Sequence, residues 1–342
     1  MPRRAAILMF LAVGLACGLT GGPAAAARID TFPSPADSVQ GLAARLQSAA
    51  PGDTLLLNPG TYRGSFTLRS GVSLIGIAGP DSTIIDAAGD RYCLFGRGID
   101  STTTIAGLTL QNGRRPHANS GGGGIYLHRS SPLIINNVFR DHLGYLGPGV
   151  YTNYDCRPVI AFNVFRDNEG YLGGAISAYQ DCAPLVYNNL IFDNSAVSGG
   201  GILALNSCPV IYANTIVGNA ASSGGGGIYC DSSPALIVEN VLAYNRGESA
   251  VFQLDDDAPA TFRGNQVWEN EGGAAGGVCS DYVGTDGNIR RRPRFLDREG
   301  QHLLPEEEAQ AGARLWRGDP LPEVPDSVLV LWRDWLRSHD AD

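Results

Sequence analysis

Residues 222 to 245 read SSGGGGIYCDSSPALIVENVLAYN: four glycines, a short alternating strand, a proline, a second apolar run and asparagines at 240 and 245. Each feature returns at a steady interval along the chain. Six prolines, Pro132, Pro158, Pro184, Pro209, Pro234 and Pro259, follow at spacings of 26, 26, 25, 25 and 25, and apolar runs such as PLIINNV, PVIAFNV, PLVYNNL and PVIYANT begin on them. An asparagine closes each run at Asn137, Asn163, Asn189, Asn214, Asn240 and Asn265, and five residues later comes a second series, His142, Asn168, Asn194, Asn219, Asn245 and Asn270. The glycine clusters GGGGIYL from 121, GPGVYTN from 147, GGAISAY from 173, GGGILAL from 199 and GGGGIYC from 224 keep the same period.

A repeat of about 25 residues holding several short strands is one coil of a parallel β-solenoid, an all-β fold in which each repeat stacks on the last. In the glycine-led strands the inward positions are Ile125 and Leu127, Val150 and Thr152, Ile176 and Ala178, Ile202 and Ala204, Ile228 and Cys230, as the two-residue period of a strand requires. Coils about 4.8 Å apart turn equivalent residues into ladders, and asparagine suits a ladder because its amide both donates and accepts twice. Glycine allows the positive φ of sharp corners. Upstream, GDTLLLNPGTYRGSFTLRSGVSLIGIAGPDSTIIDAAG continues in strands and turns, and in TTTIAGLTLQNG Asn112 stands five residues after Gly107, as if matching the later pairs. The spacing predicts a helix over ADSVQGLAARLQSAA, with Val39, Leu42, Ala43 and Leu46 on one stripe, capping the open first coil. A second helix is expected in DSVLVLWRDWLRSHD, whose stripe Val328, Leu331, Trp332, Trp335 and Leu336 either docks on the solenoid or awaits a partner. The whole predicts about nine or ten coils of solenoid over residues 51–297, after a capping segment at 28–50 and before a C-terminal extension at 298–342.

Residues 1–27 combine a basic start, MPRR, a short apolar stretch and TGGPAAAA, the order of a secretory signal peptide, so an extracellular, cell-surface or periplasmic location is expected. Lipidation at Cys17 is the alternative, though Leu15 stands one place too close to it for a good lipoprotein signal. The chain carries 25 basic and 34 acidic residues; losing Arg3 and Arg4 with the leader leaves 23 against 34, a net −11. Nucleic acid is a poor partner for such a surface. All the basic residues are arginines, which excludes lysine nucleophiles and bases. No later stretch is apolar for long enough to span a bilayer.

The succession PGDTLLLNPGTYRG, GVSLIG, STIID and IAGLTLQNG, followed by asparagine-ended coils, resembles the right-handed parallel β-helix proteins of the pectin-lyase-like superfamily over residues 30–297, and DGNIRRRPRFLD at 286–297 resembles the closing segment of many secreted bacterial members. The resemblance implies that fold and a polysaccharide as the substrate class. Catalytic residues do not carry over: Asp255, Asp256 and Asp257 stand without the Gly-His-Gly and Arg-Ile-Lys motifs of polygalacturonase-like hydrolases. Neither the arginine setting of pectate lyases nor the paired-aspartate setting of pectin methylesterases is matched.

Aligned on the prolines, Arg129, Asp155, Asp181, Asn206, Asp231 and Asp256 or Asp257 form a column in which carboxylates would raise one another's pKa. Three outcomes stay open. Calcium could be held at Asp155, Asp181 and Asp231; Asp181, Asp231, Asp256 or Asp257 could act as catalytic acids, with Arg129 or Arg157 stabilising charge; or each Asp closes its own turn. The outward residues just before this column, Tyr126, Tyr151, Ser177, Leu203, Tyr229 and Phe252, flanked by His128, Asn153, Tyr179 and Leu205, make either a sugar-binding face or a packed ladder. Tyr126, Tyr151, Tyr179 and Tyr229, with Asp155 and Arg129, are its candidate ligand contacts. Cys156, Cys182 and Cys208 recur at nearly one register, which allows a Cys156–Cys182 or Cys182–Cys208 disulfide or a stack of free thiols. The functional expectation is an exported polysaccharide-binding β-helix, a lyase or hydrolase if it is an enzyme, with a non-catalytic adhesion or structural module as the alternative.

Overall fold

The structure, a computed structural model, describes residues 27–32, 39–115, 117, 120–279, 281–293 and 324–339. The expected leader therefore lies outside the described residues except for residue 27, and of the C-terminal extension only the helix is described. The chain winds as a parallel β-solenoid of about ten coils. One coil illustrates the rest: Leu133–Ile135 belongs to a ten-stranded proline-led sheet, Val138–Arg140 to a ten-stranded middle sheet, Leu143–Leu146 to a five-stranded short sheet and Val150–Asn153 to a nine-stranded glycine-led sheet. Strand after strand pairs in parallel register, so each inward residue lies on its counterpart in the next coil. Phe139 stacks on Phe165 at 4.6 Å and 5°, and the same inner column continues through Ile191, Ile216, Leu242 and Val267, all buried.

The three-residue strands are joined by corners too tight for ordinary backbone. Asn136, Phe162, Asn188, Ala213 and Glu239 all take positive φ of 49–58° in successive coils, a conformation that costs a non-glycine residue about 1–2 kcal/mol. Sequence reading assigned such corners to glycine, and here they fall one residue before each ladder asparagine without it. What holds them is the ladder. Asn214 is typical: its Oδ1 accepts the backbone N–H (2.9 Å) and Nδ2 (3.0 Å) of Asn189, while its Nδ2 donates to Val186 O, Tyr212 O and Asn240 Oδ1. Every polar atom of a buried amide is satisfied, and so are the turn groups around it. The first ladder runs from Asn137 to Asn265 and ends on Asn288, and the second runs from Asn168 to Asn270.

His142 heads the second ladder as an imperfect substitute. Its Nδ1 accepts the Gly113 N–H at 2.9 Å, as an asparagine oxygen would, but Nε2 points toward the Leu110 carbonyl without reaching hydrogen-bonding geometry and has no partner. Gly113, not Asn112, holds the ladder position of the preceding coil; Asn112 is the positive-φ corner before it (φ 58°), its amide donating to Asp86.

Helix α1 (Val39–Ser48) covers the first coils as expected, with Leu42 and Leu46 sealed in the same core as Leu55, Phe66 and Leu74. Helix α2 (Asp326–His339) lies on the outer face of the proline-led sheet. Val328 is buried with Leu185, Val210 and Leu236, and the indole N–H groups of Trp332 and Trp335 donate to Ala183 O (3.0 Å) and Cys208 O (3.2 Å). Its apolar stripe is therefore spent on the solenoid itself. No helix among the described residues is long and apolar enough to cross a membrane.

Candidate functional site

Strand register rearranges the carboxylates that proline counting had lined up. Along the glycine-led sheet Asn153 pairs with Tyr179, Tyr179 with Leu205 and Leu205 with Asp231. Asp155 and Asp181 are thus neighbours, but Asn206 faces Gln180, and Asp231, two coils beyond Asp181, is level with Tyr179, two places before it. The expected column does not form, because the turns between glycine-led strand and proline differ in length: Pro184 follows Ile176 by eight residues, Pro209 follows Ile202 by seven and Pro234 follows Ile228 by six. Asp155 and Asp181 are exposed turn residues with φ of 46° and 57°. Asp155 makes only a long contact of 3.9 Å with Arg129, both side chains being about two-thirds exposed, so that pair contributes little. Among the described residues no three His, Cys, Asp or Glu side chains gather as a metal ion would require; Asp155, Asp181 and Asp231 in particular do not converge. Asp256 and Asp257 are exposed beyond the end of their strand.

The outward row is in register as read, Tyr126, Tyr151, Ser177, Leu203, Tyr229 and Phe252 succeeding one another, and strand pairing extends it by one coil to Phe95. Its centre, however, is roofed. Tyr151 is 2% exposed and Ser177 and Leu203 are buried, because the glycine corners fold back over them. A methyl group on Gly121 would lie 2.0 Å from the Tyr151 ring, and one on Gly173 (φ 73°) 2.3 Å from Ser177 Oγ. Tyr151, expected to face a sugar, is packing instead. Two ends stay half-exposed. At one, Tyr92, Phe95 and Tyr126 cluster at 5.3–6.5 Å, with the Arg115 guanidinium 5.4 Å from the Tyr92 ring and 5.6 Å from the Tyr126 ring. Tyr179 leans toward Tyr151 at 6.3 Å, and His128 rests edge-on against Tyr154, its pKa lowered by partial burial and by Arg97 and Arg129.

At the other end Tyr229 and Phe252 stack in parallel at 5.5 Å and 4°, an aromatic platform of two rings from successive coils. Beside it Asp231 meets a partner that sequence reading passed over, Asp255. Ser232 donates to Asp255 Oδ2 from its backbone N–H (2.9 Å) and its hydroxyl (3.0 Å), and the same hydroxyl lies 3.2 Å from Asp231 Oδ1, so one serine links the two carboxyls. Burial, and then the adjacent Asp255, push the Asp231 pKa up; burial works the same way on Asp255, but the Ser232 donors and Asp231 outweigh it and hold Asp255 below the usual range. The two carboxyls therefore titrate apart, and Asp231 is the one that takes up a proton first as pH falls. Partial burial and the nearby carboxylate of Asp231 also raise the Tyr229 pKa. Glu248 closes the edge, accepting the Gly224 N–H at 2.9 Å.

The family model described as right handed beta helix region matches residues 93–289, more than half of the chain. The chain belongs to the right-handed β-helix family. No curated protein matches its sequence. Among solved structures it is similar to pectate lyase Pel9A, at 14% identity over 80% of this chain and 84% of that one with a TM-score of 0.50. Further matches are an alginate lyase from Paenibacillus sp. str. FPU-7 (16% identity, 73% and 98% covered, TM-score 0.42) and pectin methylesterase PemA from Erwinia chrysanthemi (10%, 79% and 94%, TM-score 0.43). At such identities the likeness speaks for the β-helix fold alone.

Within this β-helix the cysteines have a structural setting that their spacing only hinted at. Ser130, Cys156, Cys182, Ser207 and Ser233 form one turn column in which four side chains accept a backbone N–H of the preceding coil, Ile99 to Ser130 Oγ (3.1 Å), Ser130 to Cys156 Sγ (3.3 Å), Cys156 to Cys182 Sγ (3.4 Å) and Ser207 to Ser233 Oγ (3.1 Å), while the Ser207 hydroxyl donates to Ala178 O (3.1 Å). Cys208 stands one place outside it, opposite Ala183. All three cysteines are thiols here. Asp255 could have been found by counting from the strand rather than from the proline, since Gln253 pairs with Cys230 and so brings Asp255 opposite Ser232.

Proposed function

We propose that the protein is an exported β-helix that binds a glycan on the outer face of its glycine-led sheet, at the platform of Tyr229 and Phe252. The observation that carries this is the half-exposed pair of parallel, stacked rings bordered by Asp231, Asp255 and Glu248. Flat rings accept the C–H face of a pyranose, and carboxylate oxygens accept its hydroxyl protons. The Ser232 hydroxyl between the two carboxyls can donate as well as accept, so it can match a sugar hydroxyl in either sense. The carboxylate border and the net charge of −9 favour a neutral polysaccharide over an anionic one. Export rests on the leader-like residues 1–27. Binding is favoured over cleavage because none of the catalytic motifs of the pectin-lyase-like enzymes carries over to this sequence.

Affinity electrophoresis through gels containing neutral polysaccharides tests this directly. Wild type is expected to be retarded in at least one, and a Tyr229→Ala, Phe252→Ala double variant to lose about 1–3 kcal/mol of binding, an affinity reduced about fivefold or more. Equal retardation of the two would remove the platform from the reading. Assays for new reducing ends and for unsaturated products on the same panel should stay blank, and turnover abolished by Asp231→Asn would replace the binding reading with a catalytic one.

A further inference from the structure

We propose that Cys156 and Cys182 are a disulfide-forming pair that staples two successive coils when the chain meets an oxidising thiol–disulfide environment. Strand register chooses this pair. The Ala183 N–H donates to Cys156 O, and the Cys208 N–H to Cys182 O, so Cys182 lies opposite Cys156 on one side and Ser207 on the other. Cys208 is displaced toward helix α2, where its carbonyl accepts from Trp335. Between Cys156 and Cys182 the backbone N–H of the first reaches the sulfur of the second at 3.4 Å, and the thiols are hydrogen-bonded to each other. Neighbouring coils in register place the two Cα atoms at about the 5 Å typical of a bridged pair.

The chemistry is ordinary exchange. The Cys156 thiolate attacks an external disulfide, of glutathione or of a dithiol oxidoreductase, forming a mixed disulfide and expelling one thiol. The Cys182 thiolate then displaces the second thiol. Two thiols of the chain are oxidised, two electrons pass to the external disulfide, and the two protons leave with its sulfurs. The hydrogen bond from Cys182 favours Cys156 as the attacking thiolate. Both sulfurs are buried in the finished solenoid, so exchange belongs to the stage when the coil is being laid down, or to its local opening. The bond would close a loop of 27 residues inside the stack, counted from Cys156 to Cys182, and leave the turn column intact because a bridged sulfur still occupies it.

Peptic mapping at low pH, which stops exchange, reads the pair after refolding of the full chain in a mixture of reduced and oxidised glutathione, with free thiols alkylated before digestion. A Cys156–Cys182 cross-linked peptide is expected, together with a thermal midpoint roughly 5 °C or more above that of the reduced chain. Cys156→Ser, which copies the serine already found at Ser130 and Ser233 in this column, should fold, lack the cross-link and lose the difference between redox conditions. Alkylation of both cysteines when the oxidised wild type is unfolded in denaturant at the alkylation step would overturn the proposal, as would a Cys182–Cys208 link. Mapping uses no glycan, so its result stands apart from the binding test.

Discussion

At the scale of single residues the molecule shows what its ladders demand by what happens where they are broken. His142 holds an asparagine position with a ring that can accept but cannot donate to two partners, and burial pushes its pKa down to about 3. The unfolded chain protonates this imidazole near pH 6.5, whereas the folded chain refuses the proton until about pH 3. Between those values the unfolded state binds more protons, so stability falls as pH is lowered through the window, by up to about 1.4 kcal/mol per pH unit. His142→Asn restores donors toward the Leu110 carbonyl and Asn168 Oδ1. We expect it to stabilise the fold by about 1–2 kcal/mol at neutral pH and to flatten the slope below pH 6.5, both measured by denaturant unfolding at stepped pH. A variant no more stable than wild type and equally acid-sensitive would mean that the imidazole already meets its needs.

At the scale of elements, stability resides in stacks rather than in strands. A strand of three residues such as Val210–Tyr212 has almost no independent existence; it is held by the corner that Asn214 closes and by the coils on either side. Removing one ladder amide strands the Asn189 N–H and Nδ2 on one side and two carbonyls on the other. Asn214→Ala should therefore cost about 2–4 kcal/mol, well beyond the ordinary surface substitution, as equilibrium unfolding would record. Helix α2 follows the same logic from outside: its tryptophans reach carbonyls of two successive coils, so a helix that the sequence left free to serve a partner acts as a buttress.

At the scale of the whole molecule, each coil touches only its neighbours, and the two ends are unequal. The first coils are sealed by α1, whereas the last, around Ala275–Gly277 and Ile289–Arg290, expose Val278 and Ile289. Nearest-neighbour stacking then predicts graded protection. Amide hydrogen exchange should be slowest in coils spanning Asn163 to Asn240 and faster by orders of magnitude in 275–290, and uniform protection along the stack would contradict that scheme. The same gradient sets the candidate site on the coils of Tyr229 and Phe252, between the rigid centre and the looser end.

The repeat carried most of this in plain sight. Parallel coils, inward and outward faces, both asparagine ladders and the two helices follow from periodicity, because a solenoid stacks what recurs and the period of a strand is two. What the spacing of prolines misplaced was everything in the turn between glycine-led strand and proline, where coils differ by one or two residues and only strand pairing fixes the register. That difference dissolved the column of Asp155, Asp181 and Asp231, brought Asp255 to Asp231, put Ser207 rather than Cys208 beside Cys182, and was decided by hydrogen bonds between coils. The burial of Tyr151 likewise depended on the path of the Gly121 corner over it. Sequence alone determined which residues point out of the coil; which of them remain open to a ligand was decided by how the neighbouring turns fold across them.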